Sequence, residues 1–284
     1  MDLNVIIEKD SVRDSHEEIL NKVKRCVKLG FKEIGLSVCI DGSQVKNIPI
    51  PPQMSSNQID IGSRNKIKLY SRLNVAVDDG LQLHKLGQSP IAKQYHLLSL
   101  EPKTEKVFTQ LLGGNFDCDI ITFDFTEKSI FSWRKANFSL PISRGILLEI
   151  NYSQAFASQS NRHNLFCYGQ SLVRKTKGKN ILLSSGTSHF MFFRGPYCVT
   201  NLGLLFGLKE NQSRDAVFIN GINAIRHSQV RKNPAAAAVV LADELLPCEK
   251  WVEKELVTTE VTDQQKSLSP EKDCSDPKRA KIDS

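Results

Sequence analysis

At 284 residues and 40% hydrophobic composition the chain is long enough for one large buried core, and its longest apolar runs, such as IGLSVCI and ILLEI, fall far short of the roughly 20 residues that cross a bilayer. Its first residues, MDLNVII, lack the basic start and apolar stretch of a secretory signal, so neither a membrane segment nor a secretory leader is expected. The net charge is +7, and because residues 249–284 hold 7 Lys/Arg against 9 Asp/Glu, residues 1–248 carry +9; a basic folded part suits a polyanionic partner without naming one.

Asn4 to Ile7 reads as a short strand. Ser11 or Asp14 can cap a helix in which Ile19, Leu20, Val23 and Val27 recur at helical spacing until Gly30 stops it. Glu33 to Ile40 is a buried strand. Asp41 to Lys66, rich in Pro, Ser, Asn and Gln, is a long polar loop. Ile67 to Val77 alternates as a strand with Arg72 in its middle, a residue expected on a solvated face, in a barrel-end ion pair or against RNA. Tyr95 to Leu100 is a strand, Pro102 opens a helix running through Lys103 to Leu112, and Asp119 to Phe123 and Gly145 to Ile150 are further strands. Asn161 to Lys175 is a helix, and Asn180 to Ser184 a strand ending at Ser185 and Gly186. After Arg194, Gly195 and Pro196 start a helix whose apolar positions Val199, Leu202, Leu205 and Phe206 face one side. Gly207 is placed to end it in the left-handed conformation, with Leu208 covering the last turn.

Strands alternating with helices imply a mainly parallel sheet. Seven or eight such units in about 230 residues, with no GxGxxG after the first strand, favour a closed α/β, TIM-like (β/α) barrel over an open doubly wound sheet. The barrel domain is set at 1–246, its last piece a helix over Ala235 to Leu246. Residues 247–284, poor in apolar residues, are expected to be a disordered tail. Seven cysteines (26, 39, 118, 167, 198, 248 and 274) form no CxxC pair, which argues against a disulfide framework and a zinc site and for reduced thiols in the cytosol or nucleus.

Three blocks carry a family resemblance: EPKTEK at Glu101 to Lys106, KGKNILLSSG at Lys177 to Gly186 and RGPYCVTNLGLLFGL at Arg194 to Leu208. In this order they resemble the thirty-kilodalton protein subunit of eukaryotic ribonuclease P and ribonuclease MRP, with similarity from about Met1 to about Lys232. The resemblance implies a barrel akin to the polymerase and histidinol phosphatase (PHP) hydrolases. It also implies a noncatalytic place in a particle whose RNA cleaves 5′ leaders from precursor tRNA, and in the related particle that processes ribosomal RNA. Expected partners are the ribonuclease P and MRP RNAs, other protein subunits including a small one bound directly, and precursor tRNA indirectly.

The rival reading is a metal-dependent phosphoesterase of the PHP barrel type. Such sites begin with an HxH pair at the end of the first strand, so that imidazoles and bridging carboxylates hold ions that activate a water. The strand MDLNVII holds no histidine, and His16, His84, His96, His163, His189 and His227 are dispersed. No GxSxG and no P-loop occurs. No catalytic residue, metal or cofactor is therefore assigned.

Basic residues at strand ends and loops are the candidates for phosphate contact, which positions RNA without reading its sequence: Arg72, Lys103, Lys106, Arg144, Lys177, Lys179, Arg194, Arg231 and Lys232. Arg194 is expected either to grip a phosphate or to pair with Asp41 or Asp124. At the other end of the chain PKRAK, with Lys278, Arg279 and Lys281, resembles a nuclear import signal, from which a nuclear and nucleolar location is expected.

Overall fold

In the computed structural model, residues 1–9, 12–52, 67–126, 131 and 133–232 are described; the helix expected at 235–246 and the tail beyond it lie outside them. The eight strands form one sheet in the order β2-β1-β3-β4-β5-β6-β7-β8. They are β1 (Asp2–Lys9), β2 (Val12–Arg13), β3 (Glu33–Asp41), β4 (Lys68–Val77), β5 (Leu97–Pro102), β6 (Ile120–Thr122), β7 (Leu147–Asn151) and β8 (Ile181–Ser184). Every pairing is parallel except that of β2 with β1. The seven parallel strands curl until the two edges meet: Thr187 bridges Val5, the Ile6 amide donates to the Thr187 carbonyl at 3.1 Å, and the Gly186 amide donates to the Asn4 carbonyl at 2.9 Å. This is the expected α/β TIM-like fold with seven parallel strands, curled so that its edges are joined by one isolated bridge rather than by a continuous ladder.

The helices are α1 (His16–Lys28), α2 (Gly80–Gln88), α3 (Pro90–Gln94), α4 (Glu105–Leu112), α5 (Ser139–Ser143), α6 (Gln159–Thr176), α7 (Pro196–Leu205), α8 (Glu210–Val217) and α9 (Ile219–Lys232). Local chemistry sets their ends. Ser15, rather than Ser11 or Asp14, caps α1 in a reciprocal box with Glu18. Pro102 belongs to β5, and α4 starts three residues later because the Thr104 hydroxyl accepts from the Val107 amide. Gly207 does take a left-handed φ of 88° after α7. The buried face of α7, however, is Val199, Thr200 and Gly203 followed by Phe206; Leu205 is 55% exposed and Leu202 half-buried. A side chain at Gly203 would strike Ser213 and Leu183, so α8 and β8 approach where no Cβ stands.

Outward-pointing strand residues such as Leu73, Val75, Leu98, Leu100, Ile121 and Leu148 pack under the helices in one large core. A second apolar cluster, Leu3, Leu97, Ile120, Leu147 and Leu182, fills the barrel at the strands' N-terminal ends, where Ala224 and Ile225 of α9 close it. No helix among the described residues is long and apolar enough to cross a membrane.

Candidate functional site

Successive inward positions on a strand are two residues apart. From Tyr70, Leu97, Ile120, Leu147 and Leu182 at the bottom, one step up β4 to β8 therefore gives Arg72, Ser99, Thr122, Glu149 and Ser184. One step further gives Asn74, Glu101, Asp124 and Asn151 at the mouth. The middle layer is a polar rung whose ion pair is sealed from solvent: Arg72 and Glu149 are both 0% exposed. The guanidinium reaches the two carboxylate oxygens at 2.5 and 2.6 Å and also donates to Ser99 (2.9 Å), Thr122 (3.1 Å), Asn74 (2.6 Å) and the Leu3 carbonyl (3.2 Å). Glu149 further accepts from Thr122 (2.6 Å), Ser184 (2.7 Å) and Asn4 (3.2 Å). Burial alone would raise its pKa; the guanidinium and these hydroxyl donors outweigh burial and hold it below the ordinary glutamate value.

Arg72 is therefore not an RNA contact. It is the central cation of the barrel, because every donor it has is directed inward and the apolar layer and α9 lie below it.

Above the rung, a pocket of about 570 Å³ opens at the strands' C-terminal ends, walled by Asn4, Asn74, Thr122, Asn151 and Gln154. Its charged lining is Asp41, Glu101, Asp124 and Lys103. The Lys103 ammonium lies 2.6 Å from Glu101 and 3.7 Å from Asp124. Burial pulls its pKa down, but the two carboxylates more than compensate and the net shift is upward. A lysine thus stands as the counter-ion to the carboxylates of the mouth. Among the described residues no group of three or more His, Cys, Asp and Glu converges as a metal cage. With three carboxylates to one ammonium, this mouth disfavours phosphate.

Several other basic candidates also have intramolecular partners. Arg144 donates to Asp117 at 2.8 Å and to the Phe116 carbonyl at 3.3 Å. Arg231 grips the fully buried Asp119 with Nε at 3.1 Å and Nη2 at 2.8 Å; Asp119 also accepts from the Leu98 amide and faces His227 Nδ1, each at 2.8 Å. Burial works to raise the Asp119 pKa, yet His227 and Arg231 bring it below the usual carboxylate range. Together these contacts fasten α9 across the bottom of the barrel. Lys232 is half-buried, and its pKa is lowered by burial and by Arg231.

Arg194 matches neither expected pairing. Its Nη1 donates to the Met191 and Phe193 carbonyls at 3.0 and 3.3 Å while its guanidinium lies 4.9 Å over the Phe156 ring, so it ties down the loop that feeds α7. Lys106, Lys177 and Lys179 are exposed and make no ion pair with a described residue. His189 stands 5.6 Å from the Phe192 ring in the loop after β8.

The profile of the family described as RNase P subunit p30 matches residues 1–233, all of the barrel. The chain belongs to the RNase P subunit p30 family. It is 30% identical over 236 residues to the Schizosaccharomyces pombe protein named probable ribonuclease P protein subunit 3, covering 82% of this chain and 95% of that one. It is 25% identical over 229 residues to ribonuclease P/MRP protein subunit RPP1 of Saccharomyces cerevisiae, covering 76% of each. A chain of the structure titled cryo-EM structure of archaeal ribonuclease P with mature tRNA shares the fold with a TM-score of 0.60 at 11% identity, over 86% of this chain and 98% of that chain. In this TIM-like barrel Lys103 offsets part of the acidic mouth from within, and an internal ion pair fills the middle.

Proposed function

We propose that this protein is a noncatalytic RNA-binding subunit of ribonuclease P, serving 5′ maturation of precursor tRNA, and of ribonuclease MRP, serving ribosomal RNA processing. The observation that carries the proposal is the family match across the whole barrel, in a domain with a surplus of +9 charges over residues 1–248. Its partners in this reading are the two particle RNAs, other protein subunits including a small one bound directly, and precursor tRNA through the particle. The exposed side chains Tyr197, Phe218 and Ile219 offer apolar surface to a protein neighbour. Phosphate contact falls to the exposed cations Lys106, Lys177 and Lys179 rather than to those with internal partners. Lys278, Arg279 and Lys281 would direct import to the nucleus and nucleolus.

Reconstitution tests this. A particle assembled from its RNA and the other subunits without this chain should cleave precursor tRNA poorly, and adding the purified chain should restore cleavage. The chain alone should hydrolyse no phosphoester with or without added zinc or manganese. Chelator-sensitive phosphatase activity of the chain alone, with no effect of its omission on the particle, would instead establish the PHP phosphoesterase reading.

A further inference from the structure

The last turn of α6 and the connection into β8 hold four cations in six residues: Arg174, Lys175, Lys177 and Lys179. Its backbone is unusual. Lys177, Gly178 and Asn180 all take left-handed angles, with φ of 57°, 70° and 52°. Lysine rarely adopts this conformation, which persists only where the surroundings over-determine it. Here they do. The Gly178 amide donates to the Val173 carbonyl at 2.9 Å and the Lys179 amide to the Thr176 carbonyl at 3.2 Å. Gln212 of α8 donates to the Lys177 carbonyl at 2.9 Å, and Asn180 donates to the Ile142 and Ile146 carbonyls at 3.1 and 3.2 Å. A side chain at Gly178 would run into Gln212, so the turn and α8 fit together only as they stand.

This fit places Lys209, the residue before α8, across from the α6 terminus. Between them runs a groove of about 460 Å³ whose apolar floor includes Val173 and Phe206 and whose rim carries Arg174, Lys177 and Lys209. All three cations are exposed, none pairs with a described acid, and among the described residues no acidic one lines the groove. Its amides are already engaged: Gln170 donates to the Leu205 carbonyl at 3.0 Å, and Gln212 accepts from the Lys209 amide at 3.1 Å besides its bond to Lys177. The groove therefore offers an approaching polyanion positive charge and little with which to read a base. A second basic groove, along α1, is weaker because Asp14 and Glu18 line it beside Lys22, Lys24, Arg25 and Lys28, and Asp14 pairs with Lys22.

We propose that the α6–α8 groove is the seat of an RNA phosphate backbone. It lies at the end of the barrel opposite the acidic mouth, and the proposal rests on the reading of the protein as an RNA-binding subunit. Arg174 supplies a planar fork able to hold one phosphate through two parallel hydrogen bonds, while Lys177 and Lys209 supply point charges from a rigid turn and the start of a helix. Recognition here is independent of sequence.

The test uses the full chain and the in vitro transcribed ribonuclease P RNA of the same organism. The groove variant carries Arg174→Gln, Lys177→Asn and Lys209→Gln, asparagine being chosen because it tolerates the left-handed backbone. A charge-matched control carries Lys24→Gln, Arg25→Gln and Lys28→Gln. With about 0.9 unit of salt slope per duplex phosphate contact, the groove variant should flatten the plot of log affinity against log salt by about 2 to 3 units and bind on the order of 100-fold more weakly near 0.1 M salt. Its melting temperature should be that of wild type, and the control should change RNA binding far less. Equal loss in both variants, or an unchanged slope in the groove variant, would remove the groove from the RNA interface while leaving the subunit reading intact. Wild-type protein that binds no RNA would overturn both. If the groove variant keeps its RNA affinity but loses a protein subunit from the purified particle, the groove belongs to a protein contact and the proposal fails.

Discussion

Replacing Arg72 by methionine leaves the volume of the barrel centre nearly filled and strips Glu149 of its counter-ion. In the native structure the carboxylate is 0% exposed and meets the guanidinium at 2.5 and 2.6 Å. Breaking a buried pair by removing one partner costs roughly 3–5 kcal/mol, because the remaining charge stays desolvated. For a domain of this size each kcal/mol moves the melting temperature by about 2–4 °C, so Arg72→Met should melt on the order of 10 °C below wild type. Adding Glu149→Met should recover part of that loss, the remainder reflecting the bonds that Ser99, Thr122, Ser184 and Asn74 lose to the pair. The dependence on pH carries a further signature. In wild type the folded pKa of Glu149 is depressed, so the pair's contribution is present above the unfolded value of about 4.3 and is lost as pH falls below it toward the folded value. In Arg72→Met the guanidinium is gone and only the Thr122, Ser184 and Asn4 donors oppose burial, so the folded pKa of Glu149 rises from its wild-type position and the variant gains less stability than wild type as pH rises. The gap in melting temperature between the two proteins should therefore widen from pH 4 to pH 7. Circular dichroism melts at several pH values read this directly. A variant that melts with wild type at every pH and loses RNA affinity instead would show that Arg72 faces solvent.

Asp119→Asn should lower stability by about 2–3 kcal/mol through the weakened charge-assisted bonds to Arg231 and His227. Because the Asp119 pKa is depressed in the folded state, that deficit should shrink once pH falls below about 3.9, as denaturation curves at pH 7 and pH 3 would show. Arg194→Ala removes two bonds to backbone carbonyls and a ring contact, so it should cost about 1–2 kcal/mol and leave the salt slope of RNA binding unchanged; a flattened slope with unaltered melting would restore it to the phosphate contacts. Replacing Lys278, Arg279 and Lys281 by alanine should move a fluorescently tagged protein toward the cytoplasm when its partner subunits are absent, and a variant that stays nuclear would place the import signal elsewhere.

The strands were legible because outward positions such as Leu73, Val75 and Leu98 must lie under helices, and that demand writes β-branched and leucine-rich runs into the sequence. Arg72 was misread because a charge inside one strand resembles a solvated face when that strand is considered alone. Its true setting is written across strands: two residues after Tyr70, Leu97, Ile120, Leu147 and Leu182 come Arg72, Ser99, Thr122, Glu149 and Ser184, a rung of matching polarity that only the sheet register brings together. Helix α9 escaped notice because its buried face is Gly221, Ala224, Ile225 and Ser228, small residues that suit a close lid and leave little apolar periodicity. Arg174 and Lys209 were passed over because they lie 35 residues apart, and the turn geometry that makes them neighbours depends on Gln212 and on a left-handed Lys177 that its own propensity does not favour.

Affinity purification of the tagged full-length chain from its own cells, followed by sequencing of the RNA that remains bound, tests the central claim most directly. The account predicts two dominant species, the RNA of ribonuclease P and the RNA of ribonuclease MRP, each enriched with its protein subunits. Recovery of the intact chain free of both RNAs and of every other ribonuclease P subunit would contradict it.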